Sequence, residues 1–515
     1  MLSSKEAHLY RHDANNNKSP VKRNSAPKLK GVAPTRENGQ EKPPSSRHSK
    51  RKLSPRSKRV TSRGERSQNT ANLFEYLPRN PPFFVVFVAA FAALILIGTL
   101  LLLIPQASAW GESTAFVDAL FTAASSVSCT GLIVVDTAAH WSTFGQAVIL
   151  VLIQLGGFGF MLISAYLLIV LGKHFNLLDF RFSDAMDISS RREYLKFAFQ
   201  TIVLTAAFEG LGVLLLYNRF SSFSSSSESL WNSVFHSISA FNNAGFNILS
   251  GDGLKEFQAD NFVLLTISVL VIMGGISAPV LISLFTHLRW KSINLNGKVA
   301  LTFTVGLLLL GILGVLFMEY GNEDSLGSMS VPQKITNAFF YSVNARTAGF
   351  STLDLGTFGF HTLAFIMVLM FIGGVAGSTA GGIKVNTFAT LILTMRSYII
   401  GQSRVHAFGR QIPERRVHEA ITVFALAILV VGFAVFILTF TEDIAKIDII
   451  FESVSAFGTV GLTTGITPLL SIAGRLIIVA CMFIGRLGPL TIVLAVSERR
   501  RVIEPTEPEE AVRMW

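Results

Sequence analysis

The sequence predicts an all-α membrane protein of four pseudo-symmetric repeats, each a helix, a re-entrant loop and a second helix, with eight spans set around one axis. Three observations predict it. Half of the 515 residues are apolar and only 15% are charged, with a mean hydropathy of +0.49, which is a membrane composition. Apolar segments run over 83–104, 145–171, 198–217, 262–286, 299–318, 362–395, 418–440 and 471–496, each close to the ~20 residues that cross a bilayer as a helix. Between them lie four stretches of one pattern, Phe121 to Gly131, Phe235 to Gly245, Phe339 to Gly349 and Phe451 to Gly461. Each has a phenylalanine ten places before a glycine, and the glycines are 114, 104 and 112 residues apart. Self-similarity at a near-constant period marks a repeat architecture.

Taken in order, residues 1–80 read as a disordered basic tail. Residues 1–82 hold 19 Lys+Arg against 6 Asp+Glu, a net of +13, while the remainder is nearly balanced at 25 against 27. The Ser, Arg, Lys, Pro and Asn richness leaves too little apolar surface for a core. No interleaved aromatics or binding module support a nucleic-acid arm, so no nucleic-acid partner is expected; contact with anionic lipid or a partner protein is. A cleaved transit peptide is the alternative, and the acids count against it. The repeats follow as 81–172, 173–287, 288–396 with a broken second helix, and 397–515 with a C-terminal tail. The first apolar run follows some eighty polar residues with no cleavage site, so no secretory signal is expected.

Connections on the tail's side are basic: His287–Lys298 carries Arg289, Lys291 and Lys298, and Arg396–His418 carries five arginines against Glu414. Lys173–Phe197 is more even, with five bases and four acids, whereas the loop side holds 15 acids and 5 bases. The positive-inside rule then places both termini in the cytoplasm, and the acidic outer face concentrates cations. Within the spans the central charges are Glu209, Lys384 and Arg486, with Arg475 and Glu419 near ends. Such groups face a cavity or a partner; for Glu209 a structural pairing inside the bundle explains it equally well. Cys129 and Cys481 read as small buried side chains.

Irregular backbone at membrane depth is tolerated only around a cavity, where free carbonyls can replace an ion's water shell. A glycine at the narrow point lets the backbone approach the axis. The candidate ion-binding set is therefore Cys129, Thr130 and Gly131; Asn243, Ala244 and Gly245; Thr347, Ala348 and Gly349; and Thr459, Val460 and Gly461. Residues from −10 to −4 of each glycine can form a half-helix whose negative end favours a cation.

The second helices align Gly156-Gly157, Gly274-Gly275, Gly373-Gly374 and Gly485-Arg486. Arg486 thus stands beside the axis as a barrier to cations, or else bonds an acid or helix carbonyls. The third of these helices is interrupted by Gly373-Gly-Val-Ala-Gly377-Ser378-Thr379-Ala380-Gly381-Gly382-Ile-Lys384. It resembles a phosphate-binding loop, but Ile383 precedes Lys384 and Val385 stands where a hydroxyl is needed. A plug beneath the narrow point is the better account, and a packing kink the alternative.

Asn344-Ala-Arg-Thr-Ala-Gly-Phe350, Gly377-Ser-Thr-Ala-Gly-Gly-Ile-Lys384 and Gly485-Arg-Leu-Gly-Pro489 resemble motifs of the Trk/Ktr/HKT potassium transporters, over roughly Pro81 to the C-terminus. The resemblance implies a K⁺-channel-like fold with K⁺ held by backbone carbonyls, and a gate formed by Gly377, Ser378, Thr379, Ala380, Gly381, Gly382, Lys384 and Arg486. It also implies a plasma-membrane homodimer docking a cytoplasmic RCK ring of the KtrA type. Within the family the chain is most similar to the KtrB membrane subunit, having no extra helix pair before the first repeat. A TrkH-like or sodium-coupled, less selective transporter is the alternative. No G-x-G-x-x-G fingerprint occurs, so nucleotide belongs to the partner and this chain binds no cofactor. The long N-terminal tail and Ala511–Trp515 depart from the family pattern; Pro508-Glu509-Glu510 is similar to it. An enzyme would need a facing nucleophile and base, or metal ligands. The ten histidines lie in the tail, in loops or near span ends, and no H-E-x-x-H occurs, so none is expected. A receptor or inert scaffold leaves the four loops unexplained.

Overall fold

The computed structural model describes residues 83–170, 191–223, 225–251, 253–287, 290–489 and 491. The basic tail, much of the Lys173–Phe197 connection and Pro508–Glu510 lie outside the described residues. The stretch expected as repeat 1 holds α1 (Phe83–Leu102), α2 (Phe116–Ser128), the single turn α3 (Thr137–His140) and α4 (Thr143–Val170). That expected as repeat 2 holds α5 (Arg191–Phe220), α6 (Ser226–Phe241), α7 (Asn261–Gly275) and α8 (Ala278–His287). That expected as repeat 3 holds α9 (Leu295–Glu319), α10 (Val331–Asn344), α11 (Phe360–Phe371) and α12 (Val385–Ile399), which runs past 396. That expected as repeat 4 holds α13 (Glu414–Thr441), α14 (Lys446–Gly458) and α15 (Ile472–Leu487). Between α12 and α13 a short hairpin pairs β1 (His406–Ala407) with β2 (Arg410–Gln411), an element the sequence reading did not include.

α1, α5, α9 and α13 are long and apolar enough to cross a membrane. They present wide apolar faces outward, with Leu100, Leu214, Leu313, Phe317, Phe433 and Phe440 exposed, the arrangement of helices solvated by lipid. The second helix is continuous over Thr143–Val170 in repeat 1 and Ile472–Leu487 in repeat 4, but the single span expected over 262–286 in repeat 2 is broken. α7 and α8 meet at 105°, so repeat 2 is broken as well as repeat 3. The cause is legible afterwards: Gly274-Gly275 is followed by Pro279, which has no N–H for the carbonyl of Gly275 and whose ring clashes with it. Asp260 starts α7 by accepting from the N–H groups of Phe262 and Val263, and Ser471 starts α15 by accepting from Gly474 N, ordinary N-caps.

α2, α6, α10 and α14 are the short inner helices that carry the four loops. They run 13 to 16 residues, longer than the half-helices the repeat pattern required. Phe121, Phe235 and Phe451 are fully buried on them and Phe339 is half-buried, so the repeated phenylalanine anchors each helix in the interior. α4, α7, α11 and α15 each pack on the short helix of the next repeat, and α15 on α2 of the first. The packing order is therefore cyclic, which fixes where the four glycines meet.

Candidate functional site

Each short helix stops in the same way. The residue two before the glycine takes a left-handed conformation: Cys129 at φ 53, Asn243 at φ 55, Thr347 at φ 76 and Thr459 at φ 50. The glycines follow with φ of 89, 70, 72 and 92. A left-handed β-branched residue is strained and persists only where its surroundings over-determine it. Part of that constraint is visible. The N–H of Thr130 reaches back to Ser125 O at 2.9 Å, that of Ala244 to Ser239 O at 2.8 Å, and that of Val460 to Ser455 O at 2.8 Å. Gly131 N and Gly461 N also donate to the hydroxyls of Ser125 and Ser455, both at 3.1 Å. In repeat 3 valine stands at the serine's register, and Asn344 substitutes: its carbonyl accepts from Ala348 N at 3.1 Å and its side chain from Phe350 N at 3.1 Å. Among the described residues, no hydrogen bond reaches the carbonyl oxygens of Cys129, Thr130, Asn243, Ala244, Thr347, Ala348, Thr459 or Val460. The residues before the glycines, Thr130, Ala244, Ala348 and Val460, are completely buried.

The four loops close on one another. A Cβ on Gly131 would overlap the carbonyl oxygen of Ala244, one on Gly349 that of Val460, and one on Gly461 that of Thr130. On Gly245 it would stand 2.5 Å from Ala348 O. Each glycine faces the loop of the next repeat, and the fourth faces the first. Only a residue without Cβ permits that approach. The four glycines and the four residues just before them, eight of the twelve singled out from the repeat pattern, are thereby brought into one ring.

The second glycine register packs these loops from behind. A Cβ on Gly156, Gly274 or Gly485 would overlap the carbonyl of Val127, Phe241 or Phe457, each four residues before a ring glycine. Repeat 3 departs: Gly373 instead lies against Gly381 and Thr347, because here the chain leaves the helix. From Ile372 to Lys384 the backbone is non-helical. The base of the segment is pinned by Gly373 N donating to Ile383 O at 2.8 Å and Val385 N to Gly374 O at 2.9 Å. Its flank is docked on the break in repeat 2, with Val375 N donating to Gly275 O at 3.0 Å, Thr379 N to Gly274 O at 3.3 Å and Thr379 Oγ1 to Gly274 O at 2.9 Å. Its tip lies under the fourth loop, where Gly381 abuts the Thr459 hydroxyl and Gly382 approaches Gly458.

Arg486 reaches the same segment. Its Nη1 donates to Thr379 O in the non-helical segment and its Nη2 to the helix carbonyl of Gly156, so it bonds a helix carbonyl and lies beside the break. Lys384 Nζ donates to Ala380 O at 2.5 Å. Beneath the ring lies a cavity of about 180 Å³ lined by Phe91, Asn242, Met273, Ser378, Lys384 and Arg486, among others. Glu209 does pair inside the bundle, accepting from Asn242 Nδ2 at 3.1 Å and Gln154 Nε2 at 3.3 Å. Asn242 is three residues before Gly245, so the Glu209 carboxyl group on α5 bears on the second loop.

Several residues escaped the sequence reading. Arg346 is buried behind the third loop, donating to Thr304 O at 3.4 Å and Gly373 O at 3.3 Å. Glu452 and His236 are completely buried on the short helices. The usable signal was a polar residue nine before the glycine matched by another two after it, as in His236 with Asn247 and Glu452 with Thr463. Cys129 and Cys481 are free and buried, as expected.

With this geometry, a membrane body of apolar helices around a ring of four glycine loops, the chain belongs to the TrkH family of cation transport proteins, whose profile matches residues 69–502. It is 38% identical over 414 residues to the Ktr system potassium uptake protein B of Bacillus subtilis, covering 80% of this chain and 92% of that one. It is 37% identical over 433 residues to the potassium/sodium uptake protein NtpJ of Enterococcus hirae, covering 83% and 96%. Among solved structures, the potassium transporter TrkH from Vibrio parahaemolyticus superposes with a TM-score of 0.65 at 18% identity, over 82% of this chain and 86% of that one; that likeness speaks to fold. The family is one of transporters, not of enzymes.

Proposed function

We propose that this chain is the ion-translocating subunit of a Ktr-type system that takes potassium into the cell across the plasma membrane. The observation that carries the reading is the closed cycle of Gly131, Gly245, Gly349 and Gly461, with unbonded buried carbonyls just before each glycine. Carbonyls held in a ring can replace the hydration shell of K⁺. In this reading the four loops are re-entrant, eight spans surround them, and both termini are cytoplasmic. The segment from Gly377 to Gly382, with Lys384 and Arg486, is an intramembrane gate beneath the filter. A homodimer docks a cytoplasmic RCK ring of the KtrA type that holds the nucleotide; the likeness to a Ktr system protein B supports this. The likeness to a potassium/sodium uptake protein favours a second reading, sodium-coupled or less selective transport.

The test is uptake by the purified chain in liposomes, with K⁺ alone, Na⁺ alone and both. K⁺ flux independent of Na⁺ and resistant to excess Na⁺ supports the first reading. K⁺ flux that requires Na⁺, or Na⁺ flux of equal size, supports the second, and no cation flux overturns both.

A further inference from the structure

Resting on the reading of the four loops as a filter, we propose that Glu452 is a specificity-determining positioning residue. It fastens the outer limb of the fourth loop, one of three polar ties that hold the ring glycines in place. In repeats 2, 3 and 4 a buried side chain on the short helix bonds the residue two places past the glycine. His236 Nε2 lies 2.8 Å from Asn247 Oδ1. The Tyr341 hydroxyl lies 2.9 Å from Ser351 Oγ and accepts from Leu353 N at 2.7 Å. Glu452 accepts from Thr463 Oγ1 at 2.8 Å through one carboxyl oxygen and from Thr467 Oγ1 at 2.5 Å through the other. His236, Tyr341 and Glu452 are all completely buried. Tyr341 stands one place nearer its glycine than His236 and Glu452 do; at the registers of Glu452 and Thr463, repeat 1 has Thr122 and Ile133, and the isoleucine side chain offers no polar atom for such a tie.

The physical need for a tie follows from the backbone. Thr459 is left-handed and β-branched, and Gly461 is left-handed too; a strained strand relaxes unless both ends are held. Ser455 holds the inner limb through Val460 N and Gly461 N. Glu452 holds the outer limb, and by accepting from both Thr463 and Thr467 it clamps the two sides of the turn at Gly465. K⁺ and Na⁺ carry the same charge, so discrimination depends on where and how firmly the carbonyls stand. A carboxyl group with two hydroxyl donors and, among the described residues, no cationic partner in an ion pair is a costly thing to bury. The fourth loop is where that cost falls.

The test measures K⁺ and Na⁺ uptake in liposomes for the full chain and four variants: Glu452→Ala, Glu452→His, the double Glu452→His with Thr463→Asn, and Gly461→Ser. Removing one partner of buried hydrogen bonds should lower K⁺-over-Na⁺ preference about tenfold in both single Glu452 variants. The double variant copies the His236–Asn247 pair into the equivalent registers and should recover most of the parent's preference. A role in folding alone would not be rescued in selectivity by a different pair. If Glu452→Ala does not insert, the His single and the His/Asn double decide the matter. If Gly461→Ser lowers the preference and the Glu452 variants do not, the tie does not set selectivity and the proposal fails. It fails equally if the double variant is no better than Glu452→His. If Gly461→Ser itself leaves the preference unchanged, the filter reading is what fails.

Discussion

Arg486 donates from its guanidinium to the main-chain carbonyl of Thr379, joining the second helix of repeat 4 to the non-helical segment of repeat 3. The same group bonds Gly156 O in repeat 1, so one side chain braces three repeats beneath the ring. On the gate reading, this contact holds the segment across the path while placing a positive charge beside it.

Arg486→Ala should therefore raise K⁺ flux in liposomes, by releasing the segment and by removing a charge that opposes cations. Deleting Gly377–Gly382 should act in the same direction and weaken any dependence on the cytoplasmic partner. Because both remove one barrier through one contact, their combination should be less than additive. Fluxes of both singles at or below the parent, in folded protein, would place the gate elsewhere and leave Arg486 a brace.

Gly131→Ser should reduce the preference for K⁺ over Na⁺. At φ 89 and facing Ala244 O, the position admits a side chain only if the first or second loop moves, which displaces the carbonyls. Competition uptake with mixed K⁺ and Na⁺ reads the effect. An unchanged preference at normal insertion removes Gly131 from the filter.

Much of this site was legible because a fourfold repeat supplies its own internal comparison. One glycine between membrane helices is ambiguous with packing, whereas Gly131, Gly245, Gly349 and Gly461 at one register are not. The same comparison exposed Arg486 as the exception to Gly157, Gly275 and Gly374. Features tied to one repeat were harder to see. The break at Ile276–Ser277 is hidden because the apolar run 262–286 is long enough for one continuous span, and Pro279 within it is the one residue that argues otherwise. Arg346 and Glu452 were counted among the loop charges, since hydropathy cannot separate a polar residue in water from one buried behind a loop. The left-handed Thr347 and Thr459 had no signal in residue type, because β-branched side chains ordinarily exclude that conformation.

Deleting residues 1–70 should leave K⁺ flux intact. The composition of that tail supports no packed core, and the ring, the Ile372–Lys384 segment and Arg486 all lie beyond it. Liposome uptake by a correctly inserted truncated chain decides it; complete loss of flux would make the tail part of the transport machinery.

Pro279→Ala should raise flux by loosening the gate from its cradle. With an N–H restored at 279, the carbonyl of Gly275 gains a helical partner within its own chain segment, and the 105° bend can straighten. Gly275 O is the acceptor for Val375 N, and Gly274 O for Thr379 N and Thr379 Oγ1. The non-helical segment thus loses its anchors on repeat 2, while Arg486 still holds the carbonyl of Thr379. Thr379→Val removes the hydroxyl bond alone and should move flux the same way by a smaller amount. Arg486→Ala combined with Pro279→Ala should then conduct more than either single variant, since each releases different bonds of the segment, with the sum less than additive because both meet at Thr379. Uptake rates for the three singles and the double, with insertion checked by gel filtration, test this. Flux in Pro279→Ala no greater than the parent would mean that the break in repeat 2 shapes the cavity without restraining the gate.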